Sequence, residues 1–367
     1  MTGNAVKTVL VAPTAFKGTL GPTAVTGAMS AGVTAVWPTV RVVERPLSDG
    51  GNGLLEACRR VLGGTLVRHE VCGPLGEPVR ARLLQAGERA VIESAEACGL
   101  HLIPPTRRAP LLATTRGVGE LLRIAVEAGA SQIVLGLGGS GTVDGGTGMA
   151  RALGWRFEDE VGAPLAEGGG SLTELHRVHP PARPLGASVT ALCDVENPLL
   201  GAEGAARVYG PQKGAGPLEV ERLEAGLASL AQALEAQLGL QVAGLPGAGA
   251  AGGLGAGARA FLEAELASGA EWMIEQTGLR ELLASADLVV TGEGRFDVQS
   301  GMGKLTGRVV TIARAAGVPV LLVCARVDGP VPDGVRAAHS DGRLLDEEGL
   351  TRLTRDACRG LAQQDRL

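Results

Sequence analysis

Several glycine-flanked segments carry the residues best suited to chemistry. Lys17, in Ala12-Pro13-Thr14-Ala15-Phe16-Lys17-Gly18, follows a short apolar run and precedes a helix signal. A cation there suits anionic ligands, because helix N-termini present unpaired N–H groups. The plain alternative is a solvated surface lysine. Asp49, in Ser48-Asp49-Gly50-Gly51-Asn52-Gly53, opens the next helical stretch and is either a functional carboxylate or an Asx-turn residue. The run from Gly136 to Gly148 contains a Gly-x-Gly-x-x-Gly match. Glycines continue past the point where a dinucleotide-binding helix would begin, so the match is weak. Backbone donors at Gly138 and Gly139, the hydroxyls of Ser140 and Thr142, and the nearby Asp144 suit a phosphate- or carboxylate-binding loop better.

Three further places offer charge at the ends of apolar runs. Asp194 follows Ser188–Leu192, and Glu293, Arg295 and Asp297 follow Leu288–Val290. Carboxylates placed near phosphates imply a magnesium ion, since like charges would otherwise repel. An ion pair of Arg295 with Glu293 or Asp297 is the competing explanation. Lys213 and Lys304 are weaker anion candidates, and His176 with His179 lacks a third ligand for a metal. Gly303-Lys304 is followed by Leu305, so it is no P-loop, and no Gly-x-Ser-x-Gly elbow stands out.

The elements that must position these residues alternate strand and helix at both ends of the chain. Apolar runs at 8–11, 40–43, 288–290 and 318–323, with an edge candidate at 335–338, predict five parallel strands. Helices are expected at 22–36, 53–62, 304–316 and 350–361, the first opened by Pro22. Between them, 66–93 reads as antiparallel hairpins, followed by helices at 118–128, 219–238 and 256–266 and strands at 132–135 and 188–192. The expected fold is α/β. A flavodoxin-like doubly wound sheet, in order 2-1-3-4-5, occupies 1–66 plus 279–367 and is interrupted by an inserted α/β domain at 67–278. In such a sheet ligands bind beyond the carboxyl ends of strands 1 and 3, where Ala12–Gly18 and Thr291–Asp297 would face each other.

Composition narrows the function. The 367 residues carry a net charge of -5 and only 2% aromatics. A general nucleic-acid binder would need basic excess and stacking platforms. No stretch approaches the length of a membrane span, and Met1–Lys7 does not read as a signal peptide. Six scattered cysteines without a Cys-x-x-Cys pair point to buried thiols and a cytoplasmic setting.

Taken in order, these segments resemble the bacterial type I glycerate kinase family. The resemblance rests on Ala12–Gly18, Ser48–Gly53, Gly73–Pro78, Gly138–Gly146, Cys193–Gly201, Gly210–Gly214, Gly247–Gly257 and Thr291–Asp297. It implies a two-domain enzyme that uses ATP and Mg²⁺ to phosphorylate D-glycerate, usually to 2-phosphoglycerate, in a cleft between the domains. A monomer or homodimer binding only small molecules is expected. On chemical grounds Lys17 would neutralise the transferring phosphate, Glu293 and Asp297 would hold Mg²⁺, and Asp49 or Asp194 would orient or deprotonate the hydroxyl. Gly138, Gly139, Ser140, Thr142, Asp144 and Lys213 would serve substrate or phosphate binding, with Arg295 on the substrate carboxylate. Thr14 and Asn52 stand where the family usually has acidic residues, and Val143 where it often has a polar one, so the base must lie elsewhere.

Two rivals remain at this level: an NAD(P)-dependent hydroxy-acid oxidoreductase, resting on Gly136–Gly141, and a non-catalytic binder of small carboxylates. Adding NAD(P)H is expected to give neither fluorescence transfer nor thermal stabilisation, and either signal would favour the oxidoreductase.

Overall fold

The computed structural model describes residues 6–16, 18–297, 304–340, 342–343 and 345–364. The chain folds into two compact units: Met1–Asp49, Glu56–Leu62 and Ala270–Leu367 form the first, Gly50–Leu55 and Gly63–Gly269 the second.

In chain order the elements begin with β1 (Thr8–Val11), α1 (Pro22–Thr34), β2 (Arg41–Glu44) and α2 (Leu54–Leu62). Strands β3 (Thr65–Cys72), β4 (Pro78–Ala86) and β5 (Arg89–Glu93) follow, then α3 (Ser94–Cys98), α4 (Arg116–Glu127), β6 (Gln132–Gly136) and α5 (Thr147–Ala152). Next come β7 (Arg156–Glu158), β8 (Arg177–His179), β9 (Ser188–Leu192), α6 (Ala205–Tyr209), α7 (Pro217–Leu238), α8 (Ala250–Leu262) and β10 (Glu265–Ala267). The chain then runs through α9 (Gly269–Gln276), α10 (Leu279–Leu283), β11 (Leu288–Thr291), β12 (Arg295–Phe296), α11 (Leu305–Ala315), β13 (Val320–Cys324), β14 (Arg326–Val327), β15 (Val335–His339) and α12 (Glu347–Gln364).

The first unit is the doubly wound sheet. Its order is β15-β13-β11-β1-β2 with every pair parallel, which is the 2-1-3-4-5 arrangement expected. Sequence explains the placement. The central strands β11 and β13 are continuous apolar runs buried throughout, whereas the edge strands β2 and β15 admit Arg, Glu and His. Helices α1 and α12 pack closely because Gly32 has no side chain: a Cβ there would fall 2.7 Å from Thr354 Cβ.

The second unit holds a six-stranded mixed sheet, β10-β9-β6-β5-β4-β3. Strands β10, β9, β6 and β5 run parallel, and β5, β4 and β3 form the expected antiparallel hairpins. One expected element moves. The helix anticipated at 256–266 spans Ala250–Leu262. Glu263 turns left-handed (φ 54°) and ends it, and Glu265–Ala267 pairs with β9 instead. Pairing with a neighbouring strand overrides local helix preference here. At its other end α8 is kinked by left-handed Ala251, Gly252 and Gly253.

Two glycines give opposite expectations. A Cβ at Gly292 would lie 1.8 Å from Val323 O, so Gly292→Ala should destabilise the fold by about 3 kcal/mol through overpacking. Gly27, exposed within α1, meets nothing within 4 Å, and Gly27→Ala should stabilise by about 0.5–1 kcal/mol. Chemical denaturation of both variants checks the pair.

Candidate active site

In the first unit, the loop leaving β1 is clamped by its neighbours. Ala12 N donates to Val290 O at 2.8 Å, Thr14 N to Gly292 O at 2.9 Å, and Leu47 N to Pro13 O at 3.0 Å. Thr291 Oγ1 donates to Ala12 O at 2.7 Å. The loops after strands 1 and 3 are therefore hydrogen-bonded to one another. Thr14 takes part as a neutral docking residue, its Oγ1 3.3 Å from Gly292 O and 3.4 Å from Thr306 Oγ1. Phe16 is buried and its N–H donates to Leu20 O. Lys17 lies outside the described residues.

Glu293 and Asp297 are both half-buried on the segment leaving β11. Lys304 Nζ stands 3.9 Å from Asp297 Oδ1, and Arg295 Nε pairs with Asp328 Oδ2 at 2.7 Å. The Arg295 guanidinium is thus tied to Asp328 while remaining largely exposed. Among the described residues no three His, Cys, Asp or Glu side chains cluster as a metal cage. Magnesium needs none: it takes one or two protein carboxylates and completes its shell with water and phosphate oxygens. The hard oxygen donors of Glu293 and Asp297 fit that requirement. Asp49 is half-buried, next to the buried Ser48.

In the second unit, the glycine-rich loop is organised by two buried charges. Asp144 is fully buried and accepts from Thr115 N and Thr115 Oγ1, both at 2.8 Å, from Gly148 N at 3.1 Å and from Gly146 N at 3.2 Å. Burial raises its carboxyl above the ordinary range, and those bonds oppose the rise. Lys213, only 2% exposed, donates to Thr142 O at 2.7 Å and to Ser140 Oγ at 3.0 Å. Burial pulls its ammonium down to about 8. Lys213, Ser140, Thr142 and Asp144 are brought together, all four buried. Gly138 N is bonded to Gly50 O, Gly141 N to Cys98 O and Gly145 N to Gly252 O. Helix α5 starts only at Thr147 and has six residues, which does not suit a dinucleotide turn. Asp194 is exposed beyond β9, where its Oδ1 accepts from Ser268 Oγ at 2.8 Å.

One residue escaped the sequence reading. Glu93 ends β5, is 5% exposed, and its Oε1 accepts the Leu55 N–H at 3.0 Å. A carboxylate following Val-Ile at a strand end next to Ser94 was its signal, but no glycine motif surrounds it. Burial first, with Glu96 adding, pushes it up to about 7; Leu55 N–H, Arg82 and Gly53 oppose.

Residues 9–342 match a family model described as the glycerate kinase family. The chain is 42% identical to a glycerate kinase of Halalkalibacterium halodurans over 91% of its own length and 88% of that protein. It is 40% identical to the glycerate 2-kinase of Escherichia coli K12, again covering 91% and 88%. A crystal structure of a Salmonella typhimurium LT2 protein, provisionally described as glycerate kinase 2, superposes with a TM-score of 0.85 at 37% identity, covering 99% of this chain and 100% of that one.

The pH dependence of stability follows from Glu93. Its carboxyl is raised from 4.5 to about 7 in the fold, so its stabilising share is complete below about 4.5 and is lost as pH rises through 7. That loss is on the order of 3 kcal/mol. Glu93→Gln should therefore gain on the wild type in melting temperature between pH 5 and pH 8; a constant difference would contradict the assignment.

Proposed function

Because the chain belongs to the glycerate kinase family, we propose that it transfers the terminal phosphoryl group of ATP to the 2-hydroxyl of D-glycerate, giving 2-phosphoglycerate and ADP. The observation that carries the choice of carbon 2 is the 40% identity with the E. coli glycerate 2-kinase. In the step, the hydroxyl oxygen bonds to the γ-phosphorus as the bond to the β,γ-bridging oxygen breaks. The hydroxyl proton passes to a carboxylate.

Such a transfer needs placement and charge neutralisation more than covalent help. Lys17 neutralises the transferring oxygens. Glu293 and Asp297 would hold Mg²⁺, which when bound offsets the charge of the phosphates. Arg295, anchored by Asp328 yet largely exposed, would pair with the substrate carboxylate. Gly139 and Ser140 would offer donors to a substrate oxygen, Gly138 being held by Gly50 O, while Thr142, Asp144 and Lys213 keep that loop in shape. Asp49 and Asp194 are the two candidates for proton acceptor. Neither Thr14 nor Asn52 can serve, having no carboxylate. Among the described residues no helix is long and apolar enough to cross a membrane and no disulfide joins the cysteines, which supports action in the cytoplasm.

Coupled ADP release with D-glycerate tests the reading. Lys17→Ala and Asp297→Ala should stay folded and lose most of kcat, and near-wild-type turnover in both would overturn these roles. Of Asp49→Asn and Asp194→Asn, the one that removes the proton acceptor should fall by about 10²–10⁴ in kcat.

A further inference from the structure

We propose that Glu93 is a positioning residue for the reaction: its carboxylate fixes the 50–55 segment across the carboxyl ends of β9, β6 and β5. The proposal goes beyond the glycerate kinase reading but is measured through it. The contacts that define the arrangement all lie within the second unit. Gly50, with φ 90°, lies on the end of β9, where a Cβ would come 2.9 Å from Leu192 O. Its own carbonyl sits over β6, 2.4 Å from where a Gly136 Cβ would be, and accepts the Gly138 N–H at 3.3 Å. Gly51 Cα lies 2.5 Å from a Cβ built on Gly138, and Asn52 Oδ1 2.7 Å from one on Gly139. The segment is then tied down by Glu93 at the end of β5, through the N–H group of Leu55.

The outcome is a sandwich of two glycine-rich strips, 50–53 over 136–139, with one polar anchor. Backbone packing alone would let such a strip slide, because glycines offer no side chains to key it. A buried carboxylate receiving the Leu55 N–H gives the strip a fixed attachment point. The anchored strip carries Asn52 against the glycine-rich loop and leads directly back to Asp49.

The anchor is also titratable. The charged groups acting on it are Glu96 of α3, which resists its ionisation, and Arg82 of β4, which favours it and is itself paired with Glu96 at 2.6 Å. Ionised Glu93 accepts the Leu55 N–H strongly, and protonation weakens that hold. Acid should therefore lower activity while leaving the fold no less stable, because protonation relieves the burial of charge. The opposite signs separate positioning from unfolding.

The test is the pH profile of kcat for the wild type, Glu93→Gln and Glu93→Asp, with amide exchange at Leu55 as a readout independent of turnover. Wild-type kcat should fall below about pH 7, and the protection of Leu55, corrected for its intrinsic exchange rate, should fall with it. Glu93→Gln should be about tenfold slower at pH 8 and lose this acid limb. Glu93→Asp should keep an acid limb at a displaced pH, and carries the test alone if the Gln variant does not fold. An acid limb unchanged in both variants, or Leu55 protection unaffected by pH, overturns the proposal. Absence of ADP release by the wild type at every pH would instead count against the kinase reading, leaving the exchange measurement to judge Glu93.

Discussion

The second unit depends on a carboxylate that has no access to water. An ionised Asp144 would be untenable in that position without partners, since burying an uncompensated charge costs several kcal/mol. The fold answers with the start of α4, through Thr115, and the start of α5, through Gly146 and Gly148. Lys213 supplies a second buried charge from a separate turn and grips the same loop at Ser140 and Thr142. The glycine-rich loop is therefore shaped by two buried charged residues whose hydrogen bonds run to the loop itself and to the start of α4.

Glycine supplies the matching freedom from above. Gly252 would clash with Thr142 O, and Gly257 with Gly145 O, if either carried a side chain. Gly145 and Gly146 also adopt left-handed backbone. These are requirements of close approach and chirality, and they explain why 57 glycines coexist with well-formed helices and strands. A rigid loop of this kind suits phosphoryl transfer, where donors must already stand in position as charge develops.

Much of this was legible in the sequence. The parallel sheet announced itself through apolar runs such as Leu288–Val290 and Val318–Val323, while its strand order was assumed from the flavodoxin-like pattern and agrees with the order observed. The site was less legible. Asp144 and Lys213 have the residue types of ligand-binding groups, and only three-dimensional burial reveals that they hold the loop. Arg295 stands beside Glu293 and Asp297 in sequence but pairs with Asp328, because β12 lies against β14 and brings that aspartate close. Glu93 was missed for the converse reason: its partner is the backbone N–H of Leu55, 38 residues away in sequence, which leaves no mark on residue type. Short elements such as β10 and β12 depend on pairing with a neighbour and have no periodicity of their own.

Phosphorus NMR of the product formed from ATP and D-glycerate decides whether phosphate goes to carbon 2. A phosphomonoester whose phosphorus couples to the single proton on carbon 2 is expected. Coupling to the two protons on carbon 3, or ATP left intact with D-glycerate, would contradict it.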